Sequence, residues 1–267
     1  GPGGFTAAFL AADNGLAVTL IDTEPRLGGT CLHEGCIPSK ALLSIAKIID
    51  QAKTAKNFGI HFNDPQINLE EINAFKKNVV SKLSNGLSQL CKQKKIDLIQ
   101  GTASFVDSKT LEILKPDGST QKLQFKKCVI ATGSQPIKPN FISADAKHVM
   151  FSSEALELKE IPETLLVVGG GYIGLEMATI YAGLGSKVTI CEITENLLGG
   201  TDEDLMAILF KSLQKKISDI RISTAVKDIS FDPDGVEATF NHAGNITKQR
   251  FHKILVSAGR KPNTAGL

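Results

Sequence analysis

The chain has 267 residues, 30 Lys and Arg against 28 Asp and Glu, a formal net charge of +2, and 42% hydrophobic residues. That length allows one large or two ordinary domains. The near-neutral charge gives no electrostatic case for nucleic acid or a membrane surface, and no apolar run approaches the roughly 20 residues of a membrane-spanning helix. Taken in chain order, GPGGFTAAFLAADNGLAVTLID at residues 1–22 reads as a glycine turn, an Ala-rich helix stopped at Gly15, and a strand from Ala17 to Ile21 ending in Asp22. This is a βαβ unit without its first strand, and the opening GPGG reads as the middle of a motif. Apolar residues at Ala41, Leu42, Ile45, Ile48 and Ile49 have the spacing of an amphipathic helix over 38–53, and a second, Lys-rich helical pattern covers 69–95. Short strands with turn signals follow over 96–131, including PDG at 116–118, and lead into a strand predicted over CVIATGS, residues 128–134.

A domain boundary is expected near 140–160, where KPNF and a polar loop precede a second βαβ unit. That unit has a strand at Leu165–Val168, a glycine turn at 169–174, a helix to about Leu184, a strand at Val188–Cys191 and then Glu192. A helix over roughly 202–216, short strands over 220–240 and a final apolar strand in ILVSAGR complete the chain. Two glycine-turn βαβ units in tandem, each followed by a helix, antiparallel strands and a strand ending in a small-residue turn, predict an α/β protein with two Rossmann-like dinucleotide-binding domains. We place these at 1–148 and 149–267.

GGGYIG at 169–174 follows a strand, opens a helix and precedes a strand-end acid, which is the setting that gives G-x-G-x-x-G its meaning. Gly169 permits the tight turn, Gly171 lets backbone approach a pyrophosphate, and Gly174 lets the helix pack close to the strand, while the helix N-terminus offers N–H groups and positive dipole. Glu192 suits a ribose 2′-hydroxyl and repels a 2′-phosphate, and no Arg or Lys occurs at 193–196, which favours NAD over NADP. In the first unit, Gly1, Gly3 and Gly4 correspond to the later glycines of the same fingerprint, with Asp22 at the strand-end acid position.

LGGTCLHEGCIPSKALL, residues 27–43, holds Cys31 and Cys36. The five cysteines are too few and too scattered for a secreted disulfide framework and point to a reducing compartment, for which we expect a bacterial cytoplasm ahead of a mitochondrial matrix. A structural staple, half of a metal site and a redox pair are the readings of the C-x4-C spacing. No second Cys/His pair follows at zinc-site distance, and so short a loop gains little from a staple. Pro38 suits a first helical turn and places Cys36 at or just before a helix N-terminus, where dipole and N–H groups favour a thiolate. Cys91, Cys128 and Cys191 read as buried small hydrophobes. His33 reads as an exposed loop residue.

LGGTCLHEGCIPSKALL, ATGS at 131–134, VVGGGYIGLE at 167–176 and VSAGRKPNTAGL at 256–267 together resemble the pyridine nucleotide–disulfide oxidoreductases, most closely their dihydrolipoamide dehydrogenase branch, over essentially the whole chain. The resemblance implies FAD between the first glycine turn and the cysteine pair, and NAD on the other face of the flavin. It implies Cys36 as the thiol beside the flavin and Cys31 as the interchange thiol that exchanges with lipoamide sulfur. Lys40 would lie near the flavin's reactive nitrogen, paired with Glu176. Asp22 would bind the FAD ribose, where the family more often has Glu. Gly29, Thr30 and Cys31 would line the flavin, with Thr132, Gly133 and Ser134 as an FAD-contacting turn. Ala103 stands near the adenine where the family usually has Gly. Residues 169–176 with Glu192, Val226 and Gly259 match NAD-contact positions.

The implied reaction is dihydrolipoamide plus NAD+ giving lipoamide plus NADH. The implied partners are the lipoyl groups of a 2-oxo acid dehydrogenase complex and a second copy in a homodimer. Leu32, Ile37, Ser39 and Glu192 favour this branch over glutathione reductase-like enzymes, while a mercuric reductase, marked by a C-terminal Cys pair, stands as an alternative. None of His33, His61, His148, His242 and His252 matches the family's base motif, which belongs to a C-terminal interface domain. The resemblance therefore implies a chain truncated at both ends, poor in catalysis and weak in FAD binding by itself, with a non-catalytic nucleotide-binding fragment as the competing reading.

Overall fold

The computed structural model describes residues 1–139, 142 and 147–267 and mixes helices with strands along the chain. The first stretch comprises α1 (Pro2–Asp13), β1 (Thr19–Asp22), α2 (Gly29–Glu34), α3 (Cys36–Thr54) and α4 (Leu69–Gln93). Four short strands follow, β2 (Asp97–Gln100), β3 (Thr102–Asp107), β4 (Thr110–Leu114) and β5 (Thr120–Gln124), then β6 (Ser134–Pro136), β7 (Val149–Met150) and α5 (Ser152–Glu157). The second βαβ unit is β8 (Thr164–Val168), α6 (Tyr172–Leu184) and β9 (Lys187–Cys191), followed by α7 (Glu203–Leu213) and β10 (Asp219–Arg221). The chain closes with β11 (Thr224–Asp232), β12 (Gly235–His242), β13 (Asn245–Phe251), β14 (Lys253–Val256) and β15 (Arg260–Pro262).

Two compact units emerge, interleaved in sequence: residues 1–37, 77–135 and 261–267 form the first, and 38–76 with 136–260 the second. Compactness thus groups the chain differently from a single cut at 148/149, because α3 and the first turns of α4 join the second unit. Asn140 and Phe141 of the expected boundary lie outside the described residues.

In the second unit, β10-β9-β8-β14-β7 form a parallel sheet. Its strands are apolar on both faces, as a covered parallel sheet requires. The period-2 alternation sends Leu165, Val167, Val188, Ile190 and Leu255 to one core with α6, and Leu166, Cys191, Ile254 and Val256 to a second core beneath the antiparallel sheet β11-β12-β13. On the first face α3 crosses α6 so closely that a Cβ on Gly183 would lie 2.7 Å from the Ala46 Cβ. Chain order reverses at β8: α6 leads outward to β9 and β10, while β14 returns on the other side. The ends of β8 and β14 therefore flank a topological switch point, where ligand crevices form in such sheets.

In the first unit, β1 and β2 pair in parallel from Thr19↔Asp97 to Asp22↔Gln100, and β3-β4-β5 form an antiparallel meander around the fully buried Ile113. Ala8, Leu27, Cys91 and Ile96 make its small core.

The strand predicted over CVIATGS is a correction. Residues 128–133 join no ladder, Val129 and Ile130 are 69% and 57% exposed, and Cys128 is exposed and not a buried hydrophobe. Only Ser134–Pro136 pairs, with β15. The side chains suit a strand, but a strand needs a hydrogen-bonded neighbour. Gly4 of α1 faces both Ala131, at 3.5 Å from its ideal Cβ, and Leu20, at 3.7 Å, so two strand-like segments flank one helix position without pairing with each other. Cys91 and Cys191, in contrast, are buried as expected. α2, β7 and α5 are elements the sequence reading left as loop.

Candidate functional site

The turn after β8 is built as its glycines suggest. Gly169 has φ +104°, and a Cβ there would lie 2.5 Å from the Ser257 carbonyl oxygen at the end of β14. The Ser257 hydroxyl lies 2.9 Å from the Val168 carbonyl and 3.0 Å from that of Gly169, and donates across both. A Cβ on Gly174 would fall 2.1 Å from the Gly169 carbonyl oxygen, so only glycine permits α6 to sit this close to the strand. Gly171 differs: nothing lies within 4 Å of its ideal Cβ, and it caps the N-terminus of α6. The result is a close-packed turn with an open position over a 13-residue helix whose first N–H groups point outward. That cradle fits a dinucleotide pyrophosphate.

Glu192, at the end of β9, reaches back to this turn. Its Oε2 accepts the Gly170 N–H at 2.7 Å, and its Oε1 accepts the Thr194 N–H and hydroxyl, each at 2.8 Å. Ile193, Thr194, Glu195 and Asn196 around it are exposed. β11 is tied to the same corner, since Thr224 N–H donates to the Glu192 carbonyl. Val226, two residues on, has its side chain buried in the second core. Gly259, with φ +104°, accepts the Ile137 N–H through its carbonyl at 3.0 Å. Glu176 on α6 pairs with Lys40 on α3, Nζ to Oε1 at 2.6 Å, so two residues far apart in sequence form the expected ion pair.

In the first unit Gly29, at φ +61°, packs against the opening turn: a Cβ on it would lie 2.4 Å from the Gly1 Cα. Gly3 and Gly4 meet only the Ala131 methyl and Leu20, at ordinary contact distances. Asp22 accepts the Glu24 N–H on its side chain and the Gly101 N–H on its carbonyl. Ala103 stands across from Ile113 in the meander, and no described contact brings it to the glycine turn. The Thr132–Gly133 turn is clasped by Asn263. The Thr132 hydroxyl donates to the Asn263 carbonyl at 2.6 Å, the Asn263 N–H to the Gly133 carbonyl at 3.0 Å, and its side-chain Nδ2 to the Thr132 carbonyl at 3.0 Å. Sequence reasoning missed Asn263, although it lies inside the quoted stretch 256–267. Ser134 begins β6.

Between the cysteines the chain folds as α2 and turns at Gly35, whose ideal Cβ approaches the Thr30 carbonyl oxygen at 3.1 Å and the Cys31 Cα at 3.5 Å. Cys31 lies within α2, half-buried; Cys36 is exposed and is the first residue of α3. His33 is a correction. It sits half-buried on α2, and its Nε2 is 2.9 Å from the Leu27 carbonyl, which also accepts the Ser84 hydroxyl at 3.0 Å. It anchors the cysteine loop and does not project as a loop residue. Among the described residues no group of three or more His, Cys, Asp or Glu side chains is arranged to hold a metal, and no helix is long and apolar enough to cross a membrane.

A glycine turn between a strand and a helix at a sheet's switch point, with a second glycine-led helix and strand-end acid earlier in the chain, defines an α/β protein of the dinucleotide-binding class. The sequence matches the pyridine nucleotide-disulphide oxidoreductase family over residues 1–267, and the chain belongs to that family. It is 40% identical over 263 residues to a dihydrolipoyl dehydrogenase of Haemophilus influenzae, which covers 98% of this chain and 55% of that protein. It is also 40% identical over 265 residues to a dihydrolipoyl dehydrogenase of Geobacillus stearothermophilus, with 99% and 56% covered. Among solved structures, LpdA of Mycobacterium tuberculosis superposes with a TM-score of 0.89 at 25% identity over 100% of this chain and 58% of its own. The HOCl-induced flavoprotein disulfide reductase RclA of Escherichia coli gives 0.81 at 30% identity, over 100% of this chain and 56% of its own. The chain thus spans little more than half the length of these relatives.

Proposed function

We propose that this chain is the nucleotide-binding part of a flavin-dependent disulfide oxidoreductase that reoxidises dihydrolipoamide with NAD+, with FAD held by residues 1–148 and NAD by 149–267. The observation that carries the reading is the close packing of Gly29, two residues before Cys31 in the same helix, against Gly1, which supports a thiol pair beside the first glycine turn. FAD, when bound, supplies a two-electron acceptor able to hand hydride to a nicotinamide. The chain's own part is thiol–disulfide exchange. A dihydrolipoamide thiolate attacks Cys31 of an oxidised Cys31–Cys36 pair, that S–S bond breaks, and Cys36 departs as thiolate toward the positive end of α3. The second substrate thiol attacks the substrate sulfur of the mixed disulfide, releasing lipoamide and leaving both protein sulfurs reduced.

Gly1, Gly3, Gly4, Asp22, Gly29, Thr30, Ala103, Thr132, Gly133 and Ser134 would hold FAD in this reading, with Lys40 steadied by Glu176 beside it. Gly169, Gly171, Gly174, Glu192, Val226 and Gly259 would hold NAD. Glu192, with uncharged or acidic neighbours, supports NAD over NADP. The relatives' name, dihydrolipoyl dehydrogenase, supports a dihydrolipoyl substrate; the lipoyl groups of a 2-oxo acid dehydrogenase complex as partners and a homodimeric whole protein complete the reading we propose.

The chain should take up FAD on titration, and NADH should bleach the bound flavin while NADPH does so far less. Cys31→Ser and Cys36→Ser should abolish the two-electron thiol titration without abolishing flavin uptake. Turnover with lipoamide, glutathione disulfide and Hg(II) separates the dihydrolipoyl reading from its nearest rivals. NADH binding with no flavin uptake would sink the proposal and leave a nucleotide-binding fragment.

A further inference from the structure

We propose that Asn263 is the positioning residue of the Thr132–Gly133 turn, holding it in the shape that a flavin nucleotide binds; this rests on the FAD reading above. The turn cannot hold itself. Gly133 sits at φ +76°, a conformation natural to glycine but not fixed by it, and the preceding residues 128–131 join no ladder. What fixes the turn arrives from 131 residues later in the chain.

Asn263 meets the turn with its carbonyl, its N–H and its side-chain amide, so three bonds define one register. All three act on the Thr132 hydroxyl or on the two turn carbonyls, and none uses an N–H of the turn. The clasp therefore takes the turn's carbonyl acceptors and draws on none of its N–H groups, and N–H donors are what a phosphate or a ring carbonyl requires. It also changes the part played by Thr132: its hydroxyl proton is committed to Asn263, so Thr132 serves the site through backbone shape. Asparagine is specified closely. Aspartate at the same position would set a carboxylate oxygen against the Thr132 carbonyl, and alanine would leave that carbonyl without its side-chain donor.

The test compares the chain with its Asn263→Asp and Asn263→Ala variants by three readouts: FAD affinity from quenching of flavin fluorescence, NADH affinity by titration, and hydrogen exchange of peptides covering 128–135. The expected result is FAD binding weakened about tenfold, the scale of one lost hydrogen bond, with faster exchange at 132–134 and NADH affinity within about twofold of the parent. FAD affinity within about twofold of the parent in both variants overturns the positioning role alone, whatever the exchange shows. Equal weakening of FAD and NADH binding also overturns it, because it marks general loss of fold. A parent chain that binds NADH but no FAD overturns both this inference and the flavin reading on which it stands.

Discussion

The carboxylate of Glu192 closes on the Gly170 N–H at 2.7 Å, tying the end of β9 to the middle of the turn that follows β8. The acid is thus a structural member of the glycine turn before any ribose arrives. Glu192→Ala should weaken NADH binding by about tenfold or more, through loss of both the turn anchor and the 2′-hydroxyl acceptor, and should narrow the preference for NADH over NADPH. Fluorescence titration with both nucleotides reads the change, and an unaltered NADH-to-NADPH ratio would count against the role assigned to Glu192.

Two glycines of the same turn should respond in opposite ways. Gly174→Ala drives a methyl to within 2.1 Å of a backbone carbonyl that cannot swing aside, so stability should fall by about 1–3 kcal/mol or more. Gly171→Ala meets open space at φ −74°, so stability should hold within about 0.5 kcal/mol while NADH affinity drops. Urea denaturation beside nucleotide titration separates the two effects; a stable Gly174→Ala chain would contradict the close packing of α6.

Lys76 is buried on α4, and its ammonium donates to the carbonyls of Leu156 and Glu157 at the C-terminus of α5 and to the Asn73 side chain. Removing it leaves terminal helix carbonyls without their cation. Lys76→Met should cost about 2–3 kcal/mol, the scale of an unmet buried polar group, although the substitution is apolar and similar in length. Thermal denaturation checks this.

Cys191 and Tyr181 set an alkaline limit. Burial pushes the Cys191 thiol up to about 12 from an ordinary 9.0, with Arg221 opposing, and burial likewise pushes the Tyr181 hydroxyl well above its usual range, with Glu160 reinforcing the shift. Both groups are neutral in the fold and would ionise sooner in the unfolded chain. Their contribution is complete below pH 9 and is lost progressively as pH rises from about 9 toward 12. Cys191→Ala should flatten that decline in a stability-versus-pH series. Alkylation of the native chain followed by mass mapping should label Cys36 and Cys128 and spare Cys91 and Cys191.

Legibility tracked the range of the forces involved. Residues 164–192 declared themselves because an apolar run, a glycine turn, a helix stop at Gly185 and an acid lie within 30 residues and each depends on its neighbours. Even the separate roles of Gly169, Gly171 and Gly174 could be assigned. CVIATG was misread as a strand, since its composition states a preference for a ladder and says nothing about whether a partner strand is beside it. α2 is six residues between glycines, too short to show a period. Asn263 looked like any polar loop residue, because its meaning lies in a turn 131 residues away. The Lys40–Glu176 pair spans 136 residues and was found only through resemblance.

The unladdered stretch around Val129 and Ile130 has a practical consequence for handling the molecule. Exposed branched apolar side chains on a segment outside any ladder favour association with another chain. Solubility should therefore fall steeply with concentration, refolding yield should improve on dilution, and a single lysine at position 129 or 130 should do more for shelf life than any gain in core packing.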